Sequence, residues 1–239
     1  MSNNLKLILG FIYLLCLGVL LIFLFSNLDI KDLSDYSYIK KNSEELLNLK
    51  KNNLILFMFV FFIFSILWIF LLGFAGPVAI LSGFVFGKWL GTIISVTAFA
   101  VGSTFLYVFA NYYFRNVVIE YLEKKIDKYK NLFKKNELIY FMIFRFAGGG
   151  GLPFGIQNIL PVVFDIKVKN YFNATILGLF PSVFIINSLG SGLEKLIEEN
   201  DSLSYKSIIF NPDIYWPIFG FLFILVTSFF IRRKFFKKK

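Results

Sequence analysis

Between residues 54 and 113 the chain carries one charged side chain, Lys88. No soluble core hides an apolar stretch of that length. A helix needs about 20 apolar residues to cross a hydrocarbon layer of about 30 Å, so the stretch has room for more than one passage. Composition agrees: 57% of residues are hydrophobic and 17% charged, with 33 phenylalanines. Soluble domains run near roughly 45–50% and about 25%. The expected class is an all-α integral membrane protein with several spans.

The same counts exclude chemistry. There is no histidine, which removes a histidine general base or a histidine-ligated metal. The single Cys16 excludes an intrachain disulfide and a cysteine cluster. No intramembrane carboxylate pair and no nucleophile–base pair is recognisable, so no enzyme, cofactor or metal is expected. The net charge of +10 fits basic loops facing anionic headgroups, not nucleic acid.

Apolar and charged blocks divide the chain. Residues 1–28 read as an N-terminal span. Its apolar run, 7–25, is long for a signal peptide, and no small-x-small site follows at Phe25-Ser26-Asn27. Residues 29–53 carry five acidic residues and five lysines and read as a polar loop or surface helix. Residues 54–195 form a membrane domain of two units, 54–112 and 138–195, joined by a charged linker at 113–137. In the linker Val117, Val118, Tyr121, Leu122, Ile126, Tyr129 and Phe133 recur every three to four residues, the pattern of an amphipathic helix on a membrane surface or of a solvated connector. Residues 196–211 read as an external loop, 212–231 as the last span and 232–239 as a basic tail.

In each unit a break precedes a span. The first is Gly73-Phe74-Ala75-Gly76-Pro77; the second is Gly148–Gly151 followed by Leu152-Pro153. Apolar pieces too short to cross, on either side of a glycine/proline break, suggest re-entrant hairpins. The segment 54–73 is long enough to cross by itself and is the weak point of that reading. Placing the six basic residues of the C-terminus in the cytoplasm and working back gives about four spans, two oppositely oriented re-entrant hairpins and both termini cytoplasmic.

An offset of 76 residues aligns Gly73 with Gly149, Pro77 with Pro153, Ala98 with Ala174 and Gly102 with Gly178. Inverted repeats with broken helices in matching places mark transporter folds and point to a binding site near the midplane. Gly83, Gly87 and Gly91 form a small-xxx-small series, expected to be a packing face and not a site.

Arg145 is the strongest candidate. A charge at membrane depth costs about 2.5–3.5 kcal/mol on insertion scales. A guanidinium stays protonated and can grip a phosphate through two parallel hydrogen bonds. Gly149, Gly150 and Pro153 supply irregular backbone beside it. The alternative is that Arg145 snorkels to the interface or pairs with Asp165. Asn158 is polar inside an apolar hairpin and suits either headgroup oxygens or the broken backbone. Pro77 marks the first break. Asp165 and Arg115 are weaker candidates: a hairpin-exit residue and a cytoplasmic anchor.

The runs GPVAILSGFVFGKWLGTIISVTAFAVGSTFLYVFANYYFR and FRFAGGGGLPFGIQNILPVVFDIKVKNYFNATILGLFPSVFIINSLGSGL resemble the VTT-domain superfamily. It is also known as the SNARE-associated Golgi protein family and includes the bacterial DedA proteins. The likeness covers roughly residues 70–195 and is closer to the TVP/TMEM branch. It rests most on Arg145, Pro153-Phe154, Asn158, Phe164, Phe172, Gly178, Pro181 and Gly190, with Pro77, Gly83, Gly87, Gly102 and Arg115 in the first unit. The resemblance implies two opposed re-entrant hairpins and movement of phosphate-bearing lipids between leaflets, as in scramblases or DedA-type lipid carriers. It departs at Gly155, where the family often has proline, and at Pro161, where glycine is expected. No acid occurs between Glu45 and Glu120, so proton coupling through the first hairpin does not carry over.

The expected function is therefore lipid movement across a bilayer and membrane homeostasis. A small-solute secondary transporter or a non-transporting scaffold is the alternative. Membrane lipids are the expected partners, with a homo-oligomer also compatible, and a bacterial inner membrane is the expected location.

Overall fold

A computed structural model describes residues 3–27, 36–71, 74–126, 130–199 and 210–235. Among these the chain is all helical. The elements are α1 (Asn3–Asn27), α2 (Tyr36–Asn52), α3 (Leu54–Leu71), α4 (Gly76–Tyr113), α5 (Arg115–Ile126), α6 (Lys130–Lys135), α7 (Glu137–Phe146), α8 (Phe154–Ile159), α9 (Val168–Glu199) and α10 (Pro212–Phe235). Short 3₁₀ segments cover Gly148–Gly151 and Leu160–Phe164.

Helices α3, α4, α9 and α10 are long and apolar enough to cross a membrane. Their sequences are rich in Phe, Ile and Val, which are indifferent helix formers in water. In hydrocarbon every backbone N–H must be satisfied within its own segment, so a helix is the solution regardless of propensity. Ile55, Phe59, Phe223 and Phe229 lie among the many large side chains that face outward from α3 and α10. A soluble monomer rarely tolerates such a surface, whereas a bilayer supplies its natural solvent. The protein is a membrane protein.

Asparagines mark helix starts. Asn53 accepts from the Leu56 amide (3.2 Å), Asn136 from the Ile139 amide (3.0 Å) and Asn211 from the Asp213 amide (2.8 Å), each satisfying a donor the first turn leaves free. Pro77 stands in the first turn of α4, where its missing N–H costs nothing.

Three expectations change. The segment expected as a hairpin limb, 54–73, is an unbroken helix as far as Leu71. Gly73 lies outside the described residues. Helix α4 breaks at Gly87, expected to be a packing glycine. Its φ of 76° and ψ of 173° interrupt α4, and only glycine takes that conformation cheaply. Past the bend the Ser82 hydroxyl donates to the Gly91 carbonyl at 3.0 Å, a contact impossible on a straight helix, where nine residues rise about 13 Å. Gly83 and Gly91 do pack closely, both against Asn187. The third change is that α9 runs on to Glu199, into the stretch read as an external loop; residues 200–209 lie outside the described residues.

The polar stretch 29–53 forms α2 over Tyr36–Asn52. Leu47 is buried, and Lys50 Nζ donates to the Val85 carbonyl at 2.7 Å. The linker forms α5 and α6, with Val118 and Phe133 buried and Val117 and Tyr121 exposed. The side chains of Leu122, Ile126 and Tyr129 lie outside the described residues.

At the centre, α9 packs against the part of α4 beyond Gly87. Tyr107 stacks on Tyr171 (4.6 Å between centroids), while Gly91 meets Asn187. The two helices therefore run antiparallel. They are also the helices that the 76-residue offset equates, so equivalent elements point in opposite directions. The flanking helices obey the same offset. A Cβ on Gly102 would fall 2.7 Å from the Ile66 carbonyl and 3.0 Å from Ile69 Cβ. A Cβ on Gly178 would fall 2.6 Å from the Met142 carbonyl and 2.6 Å from Arg145 Cβ. Each glycine lets a span touch the backbone of its companion, α3 or α7, at equivalent residues.

Candidate functional site

The second unit folds back on itself. Glu137, at the start of α7, accepts from the Lys167 amide (3.0 Å) and the Asn170 side chain (2.9 Å), tying the entry of the unit to its exit. Between them Gly148, Gly149, Gly150 and Gly151 all have positive φ, from 62° to 81°. Four such residues in a row require glycine. Gln157 clasps the turn, donating to the carbonyls of Leu152 (2.7 Å) and Gly148 (3.3 Å). A Cβ on Gly149 would collide with that side chain.

Arg145 occupies the last turn of α7, just before the glycines. Its side chain is 1% exposed. The guanidinium carbon lies 4.9 Å from the Phe141 ring centroid, 5.1 Å from Phe154 and 5.4 Å from Tyr171, within cation–π range of all three. Nη2 donates to the Tyr171 hydroxyl at 2.7 Å. That hydroxyl donates in turn to the Asn158 carbonyl at 3.3 Å. Nε and Nη1 have no hydrogen-bond partner, and neither do the two side-chain polar atoms of Asn158. Among the described residues no carboxylate pairs with Arg145. Two of the three guanidinium nitrogens thus lack a hydrogen-bond partner in a buried site, where a polar group without one costs about 1–3 kcal/mol.

The structure brings together some of the expected site residues and separates others. Arg145 and Asn158 share the Tyr171 hydroxyl. Gly149, Gly150 and Pro153 form the turn and the start of α8 beside them. Arg115 and Asp165 lie together at the other end of the hairpin, in an ion pair of 2.9 Å; Arg115 also donates to Asn111 at 2.7 Å. Asp165 is thus the partner of Arg115, not of Arg145. It is also the one described non-glycine residue with positive φ, 55°. Pro77 is exposed at the start of α4 and contributes no wall to the guanidinium cage.

Sequence reasoning did not single out Tyr171, Gln157 or Tyr107. Tyrosines near span ends read as interface anchors, yet Tyr171 and Tyr107 are inside, with the Tyr107 hydroxyl donating to the Ile166 carbonyl. Gln157 carried the signal that flagged Asn158, an amide inside an apolar run.

Residues 75–192 match the VTT domain. This is a VTT-domain protein. All eight candidate site residues fall inside the match. Among curated relatives, the transmembrane protein 41 homolog of Caenorhabditis elegans is 27% identical over 150 residues, 60% of this chain and 61% of the relative. Human transmembrane protein 41B is 29% identical over 151 residues, covering 59% of this chain and 50% of that protein. The mouse protein of the same name is 28% identical over 151 residues. The chain thus spans half to three-fifths of these relatives. They agree with the TVP/TMEM likeness of the VTT domain's motifs. No solved structure matches the chain.

Proposed function

We propose that this protein lets phosphate-bearing lipids pass between bilayer leaflets, without catalysing a covalent reaction. The observation that carries the reading is Arg145: a permanently charged group, fully buried, with two nitrogens free and no carboxylate beside it among the described residues. A structural arginine in this position would gain from an acidic partner, whereas a ligand-binding one must keep its donors open. The ligand that fits is an anion able to accept two parallel hydrogen bonds, and a phosphate ester does so. In a bilayer the abundant source is a lipid headgroup.

Under this reading the 137–167 hairpin enters and leaves the membrane from the cytoplasmic side. The bend at Gly87 belongs to its counterpart on the opposite side, and both termini are cytoplasmic. The irregular backbone at Gly148–Gly151 then lines a polar path, the setting in which non-helical chain is tolerated at membrane depth. Membrane lipids are the partners, and the location is a bacterial plasma membrane.

Reconstitution into liposomes with a fluorescent phospholipid tests the reading. The expected result is leaflet exchange well above protein-free vesicles, reduced at least tenfold by Arg145→Met. Absence of exchange by the wild-type chain across several phospholipids would reject it.

A further inference from the structure

An apolar groove of about 350 Å³ lies against the outer side of α8, within the range of small-ligand sites, about 300–1,000 Å³. Tyr13, Phe109 and Phe114 line one side, and Pro153, Gly155 and Ile156 the other. It offers no free polar side chain: the Tyr13 hydroxyl is held by the Phe70 and Leu71 carbonyls at 3.0 and 2.9 Å, and the Tyr13 ring stacks on Phe109. An occupant must therefore be hydrocarbon where it touches the groove. Pro153 and Ile156 are exposed, so the groove is entered from the surface that faces lipid.

The groove shares two walls with the guanidinium cage. On α8, Pro153 and Gly155 line the groove while the ring between them, Phe154, lies over Arg145. On α4, Leu106 and Ala110 line the groove while Tyr107 stacks on Tyr171, which holds Arg145. An apolar slot open to the membrane thus backs onto a buried cation with two free nitrogens, and the segment Pro153–Gly155 walls both. One molecule has both chemistries, a phosphate ester carrying a hydrocarbon chain.

Resting on the transport reading, we propose that the groove holds an acyl chain of the lipid whose phosphate Arg145 binds, and that Phe154 is the partition the headgroup passes. The tail stays in apolar surroundings while the phosphate leaves the interface. The headgroup replaces the Phe154 ring at the free Nε and Nη1 of Arg145.

The test uses the purified full chain in detergent and measures retained lipid by native mass spectrometry. Three probes are compared: a phosphatidic acid, a diacylglycerol with the same tails, and inorganic phosphate. The expected result is at least tenfold greater retention of phosphatidic acid than of diacylglycerol, with no displacement by inorganic phosphate at equal concentration. The groove is then blocked after folding: in a Cys16→Ser, Ile156→Cys chain, a bulky maleimide on residue 156 should lower phosphatidic acid retention at least fivefold relative to the same chain before labelling. Phe154→Ala should speed leaflet exchange. Undiminished retention after labelling, or equal retention of diacylglycerol, overturns the proposal. Exchange that persists in the labelled chain also overturns it and leaves the transport reading standing. Label-sensitive retention without exchange in any vesicle sinks the transport reading and leaves the groove.

Discussion

Replacing Arg145 by methionine separates a functional cation from a structural one. Placing a guanidinium at membrane depth costs about 2.5–3.5 kcal/mol. The one hydrogen bond it makes, Nη2 to the Tyr171 hydroxyl, returns about 1.5–3 kcal/mol. The three rings add cation–π attraction, about 0.5–2 kcal/mol each. Nε and Nη1 take back about 1–3 kcal/mol apiece because they are unpaired. These terms nearly cancel. Methionine is unbranched, fills much of the same space and makes sulfur–aromatic contacts of about 0.3–1.5 kcal/mol with the same rings. Arg145→Met should therefore leave stability unchanged or raise it by up to about 2 kcal/mol. At roughly 2–4 °C per kcal/mol for a chain of this size, the Tm in detergent should stay level or rise by up to about 8 °C, while lipid exchange falls at least tenfold. Arg145→Lys keeps the charge but not the planar fork, and should restore only part of the exchange. A Tm lowered by more than about 5 °C in the methionine variant would show instead that the guanidinium is a strut. Unchanged exchange would refute the reasoning from the other side.

Other perturbations test neighbouring parts of the argument. Tyr171→Phe keeps the stack on Tyr107 but removes the acceptor that fixes Arg145. Exchange should fall several-fold and stability by about 1–3 kcal/mol, read as an exchange rate and a melting curve on one preparation. Gly102→Leu and Gly178→Leu both push side chains into a neighbouring backbone. Each should cost at least about 1–3 kcal/mol; if only the second destabilised, the packing equivalence of the two units would be wrong. Asp165→Asn retains a residue type that tolerates positive φ and removes the ion pair with Arg115, whose side chains are 38% and 71% exposed. Such pairs are worth about 0–1 kcal/mol, so a melting shift beyond a few degrees would contradict a surface role.

What the sequence reveals here depends on how local the determinant is. Membrane class follows from counting charges. The glycine turn is legible because four glycines have few other uses, and Arg145 stands out because it interrupts an apolar run. The offset of 76 needs only a comparison of glycines and prolines, and the structure supplies its reason: Gly102 and Gly178 are contact points between helices. The bend at Gly87 is not legible, because a small-xxx-small series looks the same whether its middle glycine packs or turns; the contact of Ser82 with Gly91 decides it, and that is tertiary. Tyr171 is hidden for a similar reason. Tyrosine suits interface, core and site alike, and only the position of Arg145, 26 residues earlier, makes its hydroxyl the one that matters. Asp165 reads as a partner for whichever arginine is closest, and the fold selects Arg115.

The two units share packing but not chemistry. By the offset that equates Gly102 with Gly178, the place of Arg145 in the first unit is held by Ile69, that of Tyr171 by Ser95 and that of Asn158 by Ser82. All six side chains are buried. The repeat thus keeps all three positions buried in both halves and puts a cation in only one. Two guanidiniums in one bundle would double an insertion cost of about 2.5–3.5 kcal/mol each and would repel one another. They would also hold a phosphate from both sides, whereas conduction needs binding weak enough to end. On the transport reading, a single cation facing a neutral, hydroxyl-bearing half gives the headgroup one place to pause and an easy exit. Such asymmetry sets rate, not direction, because a site alone cannot move an equilibrium between leaflets. With no acid from residue 46 to 119, the first unit lacks a carboxylate through which a proton gradient could drive the passage.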